Sequence, residues 1–234
     1  MDWLTDPQAW IALLTLTVLE IVLGVDNIVF ISILSGRLPE HQQARARTLG
    51  LGLALFGRVG LLLGISWVIG LTRPFLSVAG NELSGRDVIL LAGGLFLLAK
   101  ATHEIHASVE GTHGERKARA ASFTSVLAQI LVLDLVFSLD SVITAVGMAE
   151  HLGVMIAAVV IAILFMMVSA RAVADFIERH PTVKILALAF LLMVGVALIA
   201  DGLDFHVPRG YVYFAMAFSV FVELLNLRMR SRQP

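Results

Sequence analysis

The sequence contains no cysteine. That absence excludes a disulfide framework, a thiolate metal site and a cysteine nucleophile. Charge is scarce as well. Asp, Glu, Lys and Arg make up 15% of the 234 residues, against about 25% in an ordinary soluble domain. The formal net charge is −1, so no overall basic field exists to hold nucleic acid. The opening stretch MDWLTDPQAW lacks the positive region of a signal peptide. The first apolar run is therefore expected to be a retained span. What is abundant is apolar: 58% of the residues, with a mean hydropathy of +0.89. This is the composition of an integral membrane protein.

Seven apolar stretches approach the length of about 20 residues that a helix needs to cross a bilayer. They run roughly over 10–34, 48–71, 87–104, 122–148, 152–176, 183–201 and 211–227. Breakers separate them: Leu38-Pro39, Arg73-Pro74, Gly80-Asn81, Gly111 and Gly114, His180-Pro181, and Pro208 with Gly210. Eleven of the 17 Lys and Arg residues fall in one set of loops and termini: Arg37, Arg45, Arg47, Arg116, Lys117, Arg119, Arg179, Lys184, Arg228, Arg230 and Arg232. Arg73, Arg86 and Arg209 fall in the other. The positive-inside rule then places the N-terminus outside and the C-terminus in the cytoplasm. The expected fold is an all-α integral membrane protein of seven transmembrane helices.

Two segments match position by position: LEIVLGVDN at 19–27 and LDLVFSLDS at 133–141. Each has a carboxylate second (Glu20, Asp134), Val fourth (Val22, Val136), and Asp followed by a small polar residue at its end (Asp26-Asn27, Asp140-Ser141). A carboxylate at the bilayer centre costs roughly 2.5–3.5 kcal/mol on insertion scales. Four of them in a duplicated pattern point to a cation pathway. The copies lie on spans one and four, which run in opposite directions. The expected architecture is a 3+3 inverted repeat, with an ion site at the repeat interface. Residues 1–234 form a single transmembrane domain in this reading: repeat one at about 8–106, repeat two at about 122–204, and an extra helix at about 210–228. A weaker echo links spans three and six, GGLFLLAKATHE against AFLLMVGVALIAD, each ending in an acid.

Glu20 and Asp26 stand about 120° apart around an unbroken helix and about 9 Å apart along it. Either Gly24 unwinds the helix and brings both acids to one site, or Asp26 and Asp140 form a central site with Glu20 and Asp134 as stations above and below. The candidate metal ligands are Glu20, Asp26, Asn27, Asp134, Asp140 and Ser141. All offer oxygen, which suits Mg²⁺, Ca²⁺ and Mn²⁺ better than Zn²⁺ or copper. Four carboxylates exceed the charge of one divalent ion, and protonation would relieve the excess, so proton coupling is expected.

Competing readings are blander. Buried acids can serve as interhelical hydrogen-bonding groups, paired with the intramembrane arginines Arg58 and Arg171 as structural counter-charges. Lys100 is expected to snorkel to the inner face. His103, Glu104 and His106 read as a solvated loop start more readily than as a metal cluster. Glu223 and Asn226 either cap the bundle or line the path. Gly93-Gly94 suits close helix packing. An intramembrane aspartyl protease would also need two membrane aspartates, but neither lies in a Gly-x-Gly-Asp context, so no enzyme and no bound cofactor are expected. The alternative to transport is a membrane scaffold or assembly factor.

The segments LEIVLGVDNIVF, LVLDLVFSLDSVITAVG, DFIERHPTVKILALAFLLMVG and GYVYFAMAFSVFVELLN resemble the TerC family of bacterial inner-membrane proteins over nearly the whole chain. The chain is most similar to the short members without cytoplasmic CBS domains. The resemblance implies Mn²⁺ export, links to tellurite resistance, alkaline pH and metal supply to exported enzymes, and kinship with the LysE superfamily of exporters. It carries the acidic-motif roles onto Glu20, Asp26, Asn27, Asp134, Asp140 and Ser141. Asp201 is expected on the outer side, where it could collect ions or simply be solvated, and is left outside the core site. Expected partners are Mn²⁺ (with other divalent cations as alternative cargo), protons and the lipid bilayer. A homodimer and, by resemblance, a contact with the secretion machinery are further expectations.

Overall fold

The computed structural model describes residues 6–78, 81–110, 122–148, 151–205 and 207–230; the side chains of Val78, Asn81, Asp140, Thr144, Met148, Arg209 and Arg230 lie outside the described set. Of the sequence features above, Gly80, Gly111, Gly114, Arg116, Lys117, Arg119 and Arg232 also lie outside the described residues. The elements in chain order are α1 (Pro7–Ser35), α2 (Glu40–Leu63), α3 (Ile65–Gly70), β1 (Pro74–Val78), β2 (Asn81–Ser84), α4 (Gly85–Val109), α5 (Phe123–Met148), α6 (Leu152–Arg179), α7 (Pro181–Gly202) and α8 (Arg209–Arg230). Among the described residues, seven helices are long and apolar enough to cross a membrane: all but the six-residue α3. The protein is an all-α integral membrane protein.

Local chemistry sets the helix starts. Asp6 caps α1, accepting a hydrogen bond from the Gln8 backbone N–H at 2.9 Å, with Pro7 in the first turn. Ser84 and Asp87 form a reciprocal capping box at the head of α4. His180 adopts an extended conformation before Pro181 and ends α6, so α7 begins at once. Span two differs from the apolar run 48–71. Its helix starts at Glu40, because the polar segment Glu40–Arg47 is helical as well, and it stops at Gly64, after which the short α3 takes up Ile65–Gly70. The segment after Arg73 contains an antiparallel hairpin, β1 against β2, that the breaker residues did not announce.

Packing is layered by helix pairs. The most extensive interfaces are α4 with α7, α1 with α6, and α2 with α5, followed by α2 with α6. Exchanging spans one, two and three for four, five and six turns the α1–α6 pairing into the α5–α2 pairing and returns α4–α7 to itself. Glycines set the closest crossing. A Cβ on Gly94 would stand 2.7 Å from the Gly195 carbonyl oxygen, and one on Gly195 would stand 3.1 Å from that of Gly94. Small residues let membrane helices approach this closely. Large apolar side chains cover the outer surface, among them Phe56, Val168 and Phe214, as a lipid-facing bundle requires. α8 packs chiefly on α7 at the edge.

Candidate functional site

Helical spacing divides the first acidic motif between two faces. Glu20, Gly24 and Asn27 follow one another at steps of four and three, so they share one face of α1. Asp134, Ser138 and Ser141 do the same on α5. These faces meet around Arg58 of α2, which reaches into the bundle and is almost fully buried. Its Nη1 pairs with Glu20 Oε2. Its Nη2 lies 2.9 Å from Asp134 Oδ1, and its Nε lies 3.3 Å from the same oxygen. Asn27 Nδ2 donates to Asp134 Oδ1 at 3.1 Å, and Ser138 Oγ donates to Asp134 Oδ2 at 3.1 Å. Asn27 therefore acts as a donor to a carboxylate, and its amide links α1 to α5. Three buried charges and their hydrogen-bonding neighbours form one satisfied network, in which removal of Arg58 would leave two buried carboxylates without a counter-charge.

Asp26 points elsewhere. It lines a cavity of about 60 Å³ bounded by α1, α2, α5, α7 and α8, together with Ser141, Asp201 and one side of Arg58. Leu23, Phe137 and Leu198 supply apolar walls. Asp26 is 9% exposed and Asp201 8% exposed. Neither carboxylate is hydrogen-bonded or ion-paired to any described residue. Burying an ionised carboxylate without a partner costs several kcal/mol, so the cavity favours a cation or protons. The Ser141 hydroxyl also reaches back to the Ser138 carbonyl oxygen at 3.3 Å.

The six candidate ligands are thus sorted. Glu20, Asn27 and Asp134 gather around Arg58, while Asp26 and Ser141 line the cavity. The Asp140 side chain lies outside the described residues. Among the described residues, no group of three or more His, Asp or Glu side chains forms a metal cage. Helix α1 runs unbroken through Gly24, which serves close packing: a Cβ there would stand 2.5 Å from Met166 Sδ on α6. Of the two intramembrane arginines, Arg58 is the counter-charge of the motifs and Arg171 is not. The Arg171 side chain is 86% exposed on the outer face of α6, with Asp175 one turn on at 3.9 Å. Asp201 is not solvated: it is buried and lines the same cavity as Asp26. The signal that marks it is the acid closing the span-six half of the echo with span three.

The acid closing the span-three half behaves differently. Glu104 is buried and ion-paired with Arg37, which follows the end of α1. Lys100 lies with both around a much smaller cavity of about 10 Å³. His103 is exposed, and His106 pairs with Glu110 at 3.1 Å on the surface, so the His103–Glu104–His106 group does not converge. Glu223 accepts a hydrogen bond from Thr182 in the first turn of α7, which ties α8 to the bundle away from the Asp26 cavity.

Comparison with known proteins fits this architecture. The profile of the integral membrane protein TerC family matches residues 5–233. The chain belongs to the TerC family. It is 56% identical over 231 residues to a UPF0053 protein of Haemophilus influenzae, covering 98% of each chain. It is 55% identical over 232 residues to the UPF0053 inner membrane protein YgdQ of Escherichia coli, covering 99% of this chain and 98% of YgdQ. The UPF0053 inner membrane protein YoaE of Escherichia coli is longer: 53% identity extends over 97% of this chain and 44% of YoaE. No solved structure matches. With seven membrane-length helices and inner-membrane relatives, this TerC-family member is a multi-pass protein of the bacterial inner membrane.

Proposed function

We propose that this TerC-family protein is a divalent-cation transporter that exports Mn²⁺ in exchange for protons. The observation that carries the proposal is the Asp26 cavity: a carboxylate within the membrane domain, unpaired among the described residues, beside a hydroxyl and a second unpaired carboxylate. At about 15 Å³ for each water, the cavity of about 60 Å³ has room for a cation that keeps part of its water shell. Mn²⁺ and Mg²⁺ accept such oxygen-rich, partly hydrated sites. Mn²⁺ itself and the export direction come from the family resemblance. Asp140 enters as the repeat counterpart of Asp26, on the sequence pattern alone.

Two further features support the reading. The helix pairings exchange consistently between spans one to three and four to six, as an inverted-repeat carrier requires. Under the charge bias of the loops, α7 runs outward, and the Asp26–Asp201 cavity then lies toward the outer face, where an exporter releases its cargo. Glu20 and Asp134 take a different part, holding Arg58 and joining α1, α2 and α5.

The test is Mn²⁺ flux in proteoliposomes, wild type beside the Asp26→Asn/Asp140→Asn double variant, with and without a pH gradient. Gradient-driven flux that vanishes in a correctly inserted variant supports the proposal. Folded wild-type protein that moves no Mn²⁺ would instead support the scaffold or assembly reading.

A further inference from the structure

We propose that Asp201 is itself a cation ligand, so that Asp26 of α1, Asp201 of α7 and the Ser141 hydroxyl of α5 form one divalent-cation site. This rests on the transport reading above and extends it to a residue outside the duplicated motif.

Four observations converge on Asp201. The residue is more than nine-tenths buried, lines the Asp26 cavity, and has no side-chain partner among the described residues. It shares one face of α7 with Val194 and Leu198, at steps of four and three, and all three line that cavity. The backbone beneath it is fixed. A Cβ on neighbouring Gly202 would stand 2.9 Å from the Asp87 carbonyl oxygen, so the end of α7 is pressed against α4. Finally, Asp201 sits in the last turn of α7, where the negative end of the helix dipole disfavours an anion and favours a cation. A buried, unpaired carboxylate at that end works against folding unless positive charge joins it.

The donor set is hard oxygen, and two carboxylates balance the charge of one divalent ion. Arg58 forms one wall of the cavity. It is already paired with both Glu20 and Asp134, so it supplies no counter-charge to the two aspartates. The shared site also joins the repeats: Asp26 comes from span one, and Ser141 and Asp201 from spans four and six. A cation bound there therefore bridges the elements that a carrier must move relative to one another.

The test is equilibrium Mn²⁺ binding to the purified full-length protein in lipid nanodiscs, read from the loss of the free Mn²⁺ resonance signal. Wild type is compared with Asp201→Asn, Asp201→Glu and Asp26→Asn. Removing a ligand should weaken binding by more than about tenfold, the smaller end of what even outer-sphere partners contribute, in both Asn variants, while Asp201→Glu retains most of it. Asp201→Ser replaces the Asn variant if that one aggregates. Wild-type affinity in a folded Asp201→Asn or Asp201→Ser protein, with binding lost in Asp26→Asn, would overturn the role of Asp201 and leave the transport reading intact. Binding lost in both aspartate variants, in a protein without flux, would uphold the site and overturn transport. No binding to wild type would overturn the site.

Discussion

The Asp26 cavity and the Arg37 cluster lie about three helical turns apart along α1, and they arrange charge in opposite ways. At the first, Asp26 and Asp201 face a cavity of about 60 Å³ with no described partner. At the second, Glu104 is paired with Arg37, Lys100 lies beside them, and the space shrinks to about 10 Å³. One end leaves its carboxylates facing open space, where the proposed cation would bind; the other is filled by the protein's own cations. The contrast teaches that acid count alone does not locate an ion site. What matters is whether a built-in cation has already claimed the carboxylate. The same rule separates the halves of the duplicated motif, because Arg58 claims Glu20 and Asp134 and leaves Asp26.

The largest effect should come from removing the built-in cation at the motif. Arg58→Gln leaves two buried carboxylates unmatched, and breaking such a pair costs about 3–5 kcal/mol. Thermal unfolding in detergent should show a markedly lower Tm, with little change in which metals the surviving protein prefers. Asp26→Asn should act on function instead. Mn²⁺ flux should fall by about a hundredfold or more while Tm holds or rises, since an unpaired buried charge is removed. A change in selectivity without loss of stability in Arg58→Gln would break the division between the two halves.

Smaller effects sharpen the comparison between the two ends. Gly94→Val would force a side chain into the Gly195 carbonyl, and overpacking of that kind costs about 1–3 kcal/mol. Chemical denaturation should register it. Glu104→Gln removes the carboxylate paired with Arg37; if that pair seals this end of the proposed path, passive Mn²⁺ leak through proteoliposomes should rise above wild type. Unchanged leak would remove the closing role from that ion pair. Arg171→Gln is the control, because its side chain is exposed and only loosely paired. Stability should stay within about 0.5 kcal/mol, with unchanged flux.

Much of the architecture was legible in the sequence because the bilayer imposes it. Seven apolar runs became seven membrane-length helices, and the family followed from motifs on spans one, four, six and seven. Boundaries were less legible where hydropathy and helicity part company: α2 extends through the polar stretch from Glu40 and stops at Gly64, inside an apolar run. The β1–β2 hairpin hid behind residues that read only as breakers. At the site, the steps of four and three from Glu20 to Asn27 and from Asp134 to Ser141 could be read from spacing. The occupant of the face they form could not. Arg58 and Arg171 look equivalent along the chain, and only packing places one at the centre of the bundle and the other on its outer face. Asp201 escaped for a similar reason, since nothing local shows that α7 brings it to the cavity that Asp26 lines.

In the proposed division, Asp26 belongs to the ion path and Asp134 to the framework around Arg58. The most direct test measures Mn²⁺ flux and Tm together for Asp26→Asn and Asp134→Asn, each reconstituted at matched orientation and density. Asp26→Asn should lose flux at full stability, and Asp134→Asn should lose stability first. A stable Asp26→Asn protein with wild-type flux would contradict that division.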